Sequence, residues 1–516
     1  MSPIPPMTNP VPASWHLETD VIVVGGGGTG LAAAVSSAES GASVVLLEKM
    51  PELGGTTGIA IGSYTAACSS LQKAAGIVDN ATWHNEDMAQ FAAHREPMNN
   101  GVLRQFFAEN AAETLSWLHG FQLEFYGPSP EPPNRVARMH NVVPNAKAYI
   151  AALHRYALKY GAVVLTRHNV ETLYQDGALG IVGVRTAHPA GHLNIRARKG
   201  VILAAGDYSS GDFVKQKYLP PNVATIEDIN PNATGDGHLL AENIGADLVN
   251  MNLIYGPEIR FIAPPRKPFT QLLPTHPLLA RLMARTTDFM PRALMRGLVK
   301  RLLVTWQHPE TALYQQGAVL INSEGARFTD ETAAPELDIP QQPGKIAYIL
   351  LDKRLAEIFS KWPHFISTAP DIAYAYLQDY RRLRPDVYAK GQTPGALAKK
   401  IGVAADELER TVAHIKNTAR GLPDTFGRSH FQTDFSSGPY YALGPVKSWI
   451  VHTEGGLRLT LKLEVLDRSG HPIPGLYGGG TNAMGGMVLF GHGLHIAWAL
   501  TSGRLAGRNA ARRGTD

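Results

Sequence analysis

The chain has 516 residues, 44% of them hydrophobic and 18% charged, with 51 glycines and a net charge of +4 from 48 basic and 44 acidic side chains. That length allows more than one core, and the composition excludes a disordered, collagenous or coiled-coil chain. A charge so nearly balanced gives no reason to expect nucleic acid as a partner.

The chain opens on proline-rich MSPIPPMTNPVPASWHLETD, which lacks a signal-peptide pattern, and no run of eighteen apolar residues follows anywhere. Its one cysteine, Cys68, excludes an intrachain disulfide and a zinc–thiolate cluster, so a cytoplasmic protein without a metal is expected. Asp20 to Val24, DVIVV, predicts a strand; GGGGTG turns it into LAAAVSSAESG, a helix that stops at Gly41. Gly25, Gly27 and Gly30 form G-x-G-x-x-G: a tight turn, a close approach for a pyrophosphate and close helix packing. ASVVLLEK is a second strand ending at Glu48, placed to accept from ribose hydroxyls. Strand, turn, helix, strand and acid together predict dinucleotide binding, which the glycines alone would not. A second loop, GGTTGIAIGS over 54–63, can lay backbone N–H groups along a flavin's pyrophosphate and ribityl chain, which favours FAD over NAD. Thr82 to His119 reads as helical and Val163 to Val184 as a strand meander. KGVILAAG at 199–206 and PIPGLYGGG at 472–480 agree with a flavin domain, and no repeat of 20–50 residues is visible.

Together with TGDG at 234–237, GARFTDE at 325–331 and HTEGGL at 452–457, these segments resemble the flavoprotein family of fumarate reductases, succinate dehydrogenases and 3-ketosteroid dehydrogenases, in family order from about residue 18 to 512. The resemblance implies an α/β fold: a glutathione-reductase-like (Rossmann-type) FAD-binding domain with a parallel sheet over 15–252 and 436–512, and an inserted α+β substrate-binding cap over 253–435. The candidate cofactor residues are Gly25, Gly27, Gly28, Thr29 and Gly30, then Glu48 and Lys49, then Gly54, Gly55, Thr56, Thr57 and Gly62. Ala205, Gly206 and Asp236 join them, and the resemblance adds Val170 at the adenine and Thr481, Leu494 and Ile496 at the ribityl chain and isoalloxazine. The second loop has no histidine to carry a covalent flavin, which implies dissociable FAD.

Moving two hydrogens across a C–C bond needs a hydride carrier and a group for the proton. The arginine that supplies that proton in the family's dicarboxylate reductases maps to Pro335, and its relay partners map to Thr311 and Tyr314. The substrate-clamping arginine maps to Phe490, so a dianion would meet a hydrophobic ring. In the ketosteroid dehydrogenases the cap tyrosine also maps to Pro335 and a flavin-facing tyrosine to Leu489, while Gly491 and Gly493, whose backbone there helps bind a ketone oxygen, are kept. His452 is the first candidate for a donor to a carbonyl, its alternative being a loop fastener. Tyr314 and Tyr255 are candidates for the base, though each reads more readily as a core-edge tyrosine with a satisfied hydroxyl. Tyr440 and Tyr441 are expected as pocket wall; Arg138 and His140 lie near a segment that approaches the site, or form a cap salt bridge. The resemblance thus implies an FAD-dependent oxidoreductase acting on a C–C bond next to the carbonyl of a small lipophilic, cyclic ketone, with an external electron acceptor. The alternatives are fumarate-type reduction of an enoate or dicarboxylate, and a flavin-holding electron carrier or partner-binding protein without turnover.

Leu278 to Trp306 carries Arg281, Arg285, Arg292, Arg296, Lys300 and Arg301 against one acid, Asp288. Leu278, Leu282, Met290, Leu294, Leu298, Leu302 and Trp306 recur mostly at spacings of four, broken by Pro291. The pattern fits two helices lying on an anionic membrane and, equally, cap helices with a solvated basic side.

Overall fold

The structure, a computed structural model, describes residues 9–514 other than 178–179, 267–268, 289–291, 370–371 and 429–430. The β-branched run forms the strand Leu17–Val24, with Val21, Ile22 and Val23 fully buried, as befits a strand covered on both faces. Val44–Glu48 lies parallel on one side and Gly191–Leu203 on the other, then Val163–Thr166 and Pro472–Gly478 outside these. The register opposes Val24 to both Leu47 and Leu203, so the first glycine turn, Glu48 and Ala204 meet at one edge of the sheet, where open α/β sheets bind ligands. Glu464–Leu466 and the hairpin Asn169–Asp176 and Gly180–His188 attach antiparallel, so the expected parallel sheet is mixed. The helical stretch expected at 82–119 is two helices, Ala81–Ala92 and Gly101–Gly120.

Helix Gly28–Glu39 packs on the last helix, Leu494–Ala511, through glycines. A Cβ at Gly503 would lie 2.3 Å from the Thr29 carbonyl oxygen, and one at Gly507 2.4 Å from that of Ala33. This approach brings the start of the last helix to the glycine turn.

A second sheet has its own core. Its spine, Tyr440–Ile450, pairs antiparallel with Glu258–Phe261, Ala347–Leu351 and Tyr388–Gly391, and parallel with Glu227–Asp228. Val319–Asn322 flanks Ala347–Leu351. Tyr440, Ala442 and Val446 point into this core, so it reaches past residue 435, and the sheet, through Glu227–Asp228, draws on residues before 253. GARFTDE closes it with a buried ion network: Arg327 Nε and Nη2 donate to Glu331 at 2.8 and 2.9 Å, and Arg428 Nη1 at 2.8 Å.

The basic segment forms helices Pro277–Asp288 and Arg292–Trp306. Its apolar residues do not share one face: Leu303 and Val304 enter the second core, whereas Leu278 and Leu282 are exposed. Met290 and Pro291, and the side chains of Asp288, Arg292, Leu294 and Trp306, lie outside the described part. Among the described residues no helix is long and apolar enough to cross a membrane.

Candidate active site

The three motif glycines do different work. Gly25 sits at φ +108°, where a Cβ would lie 2.4 Å from the Ala204 carbonyl oxygen, and a Cβ at Gly30 would lie 1.8 Å from that of Gly25. Gly27 is open: a Cβ there would meet nothing nearer than the Gly54 carbonyl oxygen at 3.8 Å. Gly27 and Gly54 form a parallel bridge, and the Gly54 N–H donates to Gly26 at 3.0 Å, so the two glycine loops make one floor at the N-terminus of helix Gly28–Glu39. Free space over backbone N–H groups at a helix N-terminus fits a pyrophosphate.

Glu48, nearly buried, accepts from the N–H groups of Gly26 and Met50, both at 2.7 Å, which fixes the turn and leaves each carboxylate oxygen a further lone pair for a hydroxyl. Lys49 and Asp236 pair with each other at 2.7 Å, tying TGDG to the second strand. Asn230 donates to Thr56 at 2.8 Å, and the Thr57 hydroxyl packs against Gly28. Thr29 is walled by Gly480, whose Cβ would lie 2.2 Å from its hydroxyl, next to Thr481. Gly62 (φ +111°) packs on Val142 and Gly55 faces Gly27, while a Cβ at Gly206 (φ +80°) would meet no described atom within 4 Å beyond its chain neighbours. Ala205 donates at 3.2 Å to buried Asn482, a residue the sequence reading missed. Val170 is buried in its hairpin, and Leu494 and Ile496 occupy the first turn of the last helix behind Gly493 (φ +75°).

The second cluster assembles around His452. The two-residue strand His452–Thr453 pairs antiparallel with Ile254–Tyr255, His452 opposite Tyr255, and their rings stack at 5.0 Å and 14°. Phe490 also stacks on Tyr255, at 5.3 Å, under the Arg95 guanidinium at 4.8 Å. Residues two apart on an extended segment share a side, and Glu454, fully buried, lies with Oε1 3.2 Å from His452 Nε2. The same oxygen lies 2.7 Å from Nε2 of His495, on the first turn of the last helix. Oε2 accepts the Leu489 N–H at 3.3 Å. The sequence reading expected no metal, yet these three side chains offer ligand atoms within 4.8 Å of one another, the spacing of a divalent-ion site. The contacts present are hydrogen bonds.

Burial would raise the Glu454 carboxyl, but the two imidazoles hold it well below the usual carboxylate range. Burial, and then the charge of His495, push His452 down to about 4. An ionised carboxylate between two imidazoles can hold one extra proton with no net charge. Burial lifts the Tyr255 hydroxyl well above its ordinary range, and that hydroxyl has no protein hydrogen bond among the described residues.

Of the expected site residues, His452, Tyr255, Leu489 and Phe490 come together, with Gly491 and Gly493 in the same loop. Tyr314 does not join them: it lies in the second core with its hydroxyl buried and unpartnered, and burial raises its pKa. Tyr441 packs near Tyr388 under Lys390, and the Tyr440 hydroxyl donates to the Phe435 carbonyl at 3.0 Å, so this pair belongs to the second sheet. Arg138 is fully buried between Asp79 and Asp87, a structural pair inside the first lobe, and not a cap bridge. His140 bonds Ser69 at 2.8 Å and also stays within that lobe. Glu454 was legible as the second acid-bearing position of H-x-E; His495 lay unread between Leu494 and Ile496.

A family model described as an FAD binding domain matches residues 20–491. The chain belongs to that family. It is 28% identical over 514 residues to the probable fumarate reductase Ifc3 of Shewanella frigidimarina (strain NCIMB 400), covering 96% of this chain and 76% of that one. The open conformation of a flavocytochrome c3 fumarate reductase superposes with a TM-score of 0.73 at 26% identity, over 98% of this chain and 80% of that one. A 3-ketosteroid-Δ4-(5α)-dehydrogenase from Rhodococcus jostii RHA1 shares the fold, with a TM-score of 0.61 at 22% identity over 98% and 100% of the two chains. The protein is therefore an FAD-dependent oxidoreductase of CH–CH groups.

Proposed function

We propose that the protein moves hydrogen across the C–C bond next to the carbonyl of a lipophilic, cyclic ketone, as an α,β-dehydrogenase or, in reverse, an enone reductase. The two glycine loops would hold FAD without a covalent bond, and the cofactor bound there would supply the hydride chemistry, with an external acceptor for the electrons. The observation that carries the reading is the buried trio His452, Glu454 and His495 set against the stacked rings of Tyr255 and Phe490. The rings offer an apolar wall where a carboxylate clamp would be needed for a dianion. His452 turns Nε2 to Glu454, so Nδ1 donates to a carbonyl oxygen only when this ring itself carries the trio's extra proton, a state that burial and His495 disfavour in the free site and that the developing negative charge on the carbonyl favours. The Gly493 N–H, at the N-terminus of the last helix, supports the same developing negative charge. Tyr255, protonated at neutral pH, gives its hydroxyl proton to the carbon next to the carbonyl in enone reduction; the reverse dehydrogenation needs its phenolate, which burial disfavours.

On this reading residues 15–252 and 436–512 form the glutathione-reductase-like FAD domain and 253–435 the cap. The two separate cores support that division, with the first half of Tyr440–Ile450 lent to the cap.

A second reading, reduction of a dicarboxylate, is favoured by the likeness to fumarate reductases. Pro335, Thr311, Tyr314 and Phe490 at the positions of the family's proton relay and clamp stand against it. Reducing the holoenzyme anaerobically with dithionite and adding either cyclohexenone or fumarate separates the two. Rapid flavin reoxidation by cyclohexenone alone is expected; reoxidation by fumarate alone transfers the assignment to the dicarboxylate reading. No reoxidation by either leaves the electron carrier.

A further inference from the structure

Helix Pro277–Asp288 is turned the wrong way round for a packed helix. Leu278, Leu279 and Leu282 are 68%, 44% and 59% exposed, while the residue facing inward is Ala280, 2% exposed. At about 100° per residue, Arg281, Arg285, Leu278, Leu282 and Leu279 follow one another around the outer side over an arc of about 160°. The leucines therefore form an outward ridge with two arginines along one border. The helix is fixed in that orientation by Arg281, whose Nε lies 3.1 Å from Glu124 of the strand Glu124–Ser129. The next helix, Arg292–Trp306, is anchored on the second lobe by Leu303 and Val304 and by Lys300, 2.7 Å from Asp379, and leaves Arg296 and Arg301 exposed. Among the described residues Arg285, Arg296 and Arg301 have no acidic partner. Over residues 278–306 the only acid is Asp288.

We propose that the outward ridge of Pro277–Asp288 docks on an anionic lipid surface, the leucines entering the headgroup boundary and the unpaired Arg285 meeting a lipid phosphate, with the exposed Arg296 and Arg301 of the next helix adding electrostatic attraction. Exposed leucines bordered by arginine match that partner in both apolarity and sign. A second copy matches less well, because a two-fold contact sets a patch against itself and would bring the same arginines together.

The test mixes the holoprotein with sedimentable vesicles at low salt. It should pellet with vesicles containing phosphatidylglycerol, remain in solution with pure phosphatidylcholine, and be released by 0.5 M salt (roughly three-fold shorter screening than at low salt). The triple variant Arg285→Glu, Arg296→Glu, Arg301→Glu should weaken partitioning by at least about 100-fold. Leu278→Ser with Leu282→Ser should weaken it even at low salt. An unchanged flavin spectrum reports that each variant is folded. Failure of the parent protein to pellet with anionic vesicles overturns the proposal, as does pelleting that neither variant reduces. A concentration-dependent dimer that the leucine variant abolishes, without vesicle binding, assigns the face to a second copy and also overturns it.

Discussion

At the scale of single residues, the open space over Gly27 and the closed space at Gly30 predict different failures. Gly27→Val should give a folded, colourless apoprotein, because its side chain fills room that protein atoms leave free. Gly30→Val should fail to fold, because its Cβ would clash with the Gly25 carbonyl. Absorbance at 450 nm (roughly, the flavin band) together with circular dichroism distinguishes the two, and a yellow Gly27→Val protein would contradict the pyrophosphate assignment. In the second cluster, His452→Ala should lower ketone turnover by about 10²-fold with flavin content intact, the cost of one lost donor to an oxyanion. Turnover that survives makes His452 a loop fastener. Glu454→Gln tests the carboxylate separately. The negative charge between the imidazoles favours their protonated form, so removing it lowers the pKa of the trio's proton. The alkaline limb of the kcat profile for enone reduction should then move to lower pH by about 1–3 units. A profile that falls in amplitude without moving leaves Glu454 a purely structural part.

At the scale of elements, the carboxylate of GARFTDE behaves as a keystone. Glu331 accepts from Arg327 and Arg428 and from the Leu320 N–H at 3.0 Å, all buried, so one side chain joins the strand Val319–Asn322 to Arg327 of its own loop and to the distant loop of Arg428. Glu331→Ala would remove the acid that Arg327 and Arg428 share, leaving Arg327 its second acid, Asp424, and Arg428 its acceptors at the Ala318 and Tyr314 carbonyls; breaking a buried ion network in this way costs up to about 3–5 kcal/mol. Thermal unfolding should show this as a lower melting temperature even when FAD is saturating; an unchanged Tm would mean that water reaches the site and replaces the acid. The same element shows where the sequence was readable. Patterns carried by near neighbours came through: DVIVV into GGGGTG into a helix, the acid ending the second strand, and the helical character of 82–119, though not its division into two helices. Partnerships between distant residues did not. Tyr440 looked like pocket wall because an aromatic pair resembles one, and only the strand register turns it into the second core. His495 stands 43 positions from His452, and no spacing rule links a loop residue to the first turn of a helix that glycine packing alone brings close. Of the leucines spaced by four in 278–306, Leu278 and Leu282 are exposed and Leu298 and Leu302 half-buried, since periodicity reports which residues share a side and not which side meets a partner.

At the scale of the whole molecule, buried histidines set the acid limit. His84, His140 and His238 are buried and neutral, pushed by burial down to about 3, about 4 and about 4. Among the described residues His84 has no hydrogen-bond partner on either ring nitrogen. The sign follows from proton uptake: the unfolded chain binds protons at these sites near pH 6.5 and the folded chain only near pH 3–4, so the unfolded state takes up more protons in between. The stabilisation is complete above about pH 6.5 and shrinks as the pH falls toward the folded-state values. At about 1.4 kcal/mol per unit, each site loses about 3 kcal/mol across that window. Three such losses reach about 10 kcal/mol, the size of a typical total stability. The carboxylates held below their usual range, Asp79 and Asp87 beside Arg138 among them, begin to contribute only further down, when the pH drops below about 4. Unfolding is therefore expected between about pH 6 and 4, ahead of carboxylate protonation. Melting temperatures taken every half unit (roughly) from pH 7.5 to 4.5 should fall steadily through that range, and His84→Leu should flatten the decline by about a third while lowering stability little at pH 7.5. A decline that starts only below about pH 4 would return acid sensitivity to the carboxylates. An unaltered slope in the variant would mean that His84 is already protonated in the folded protein, in contact with a group that its buried ring nitrogens do not reach in this structure.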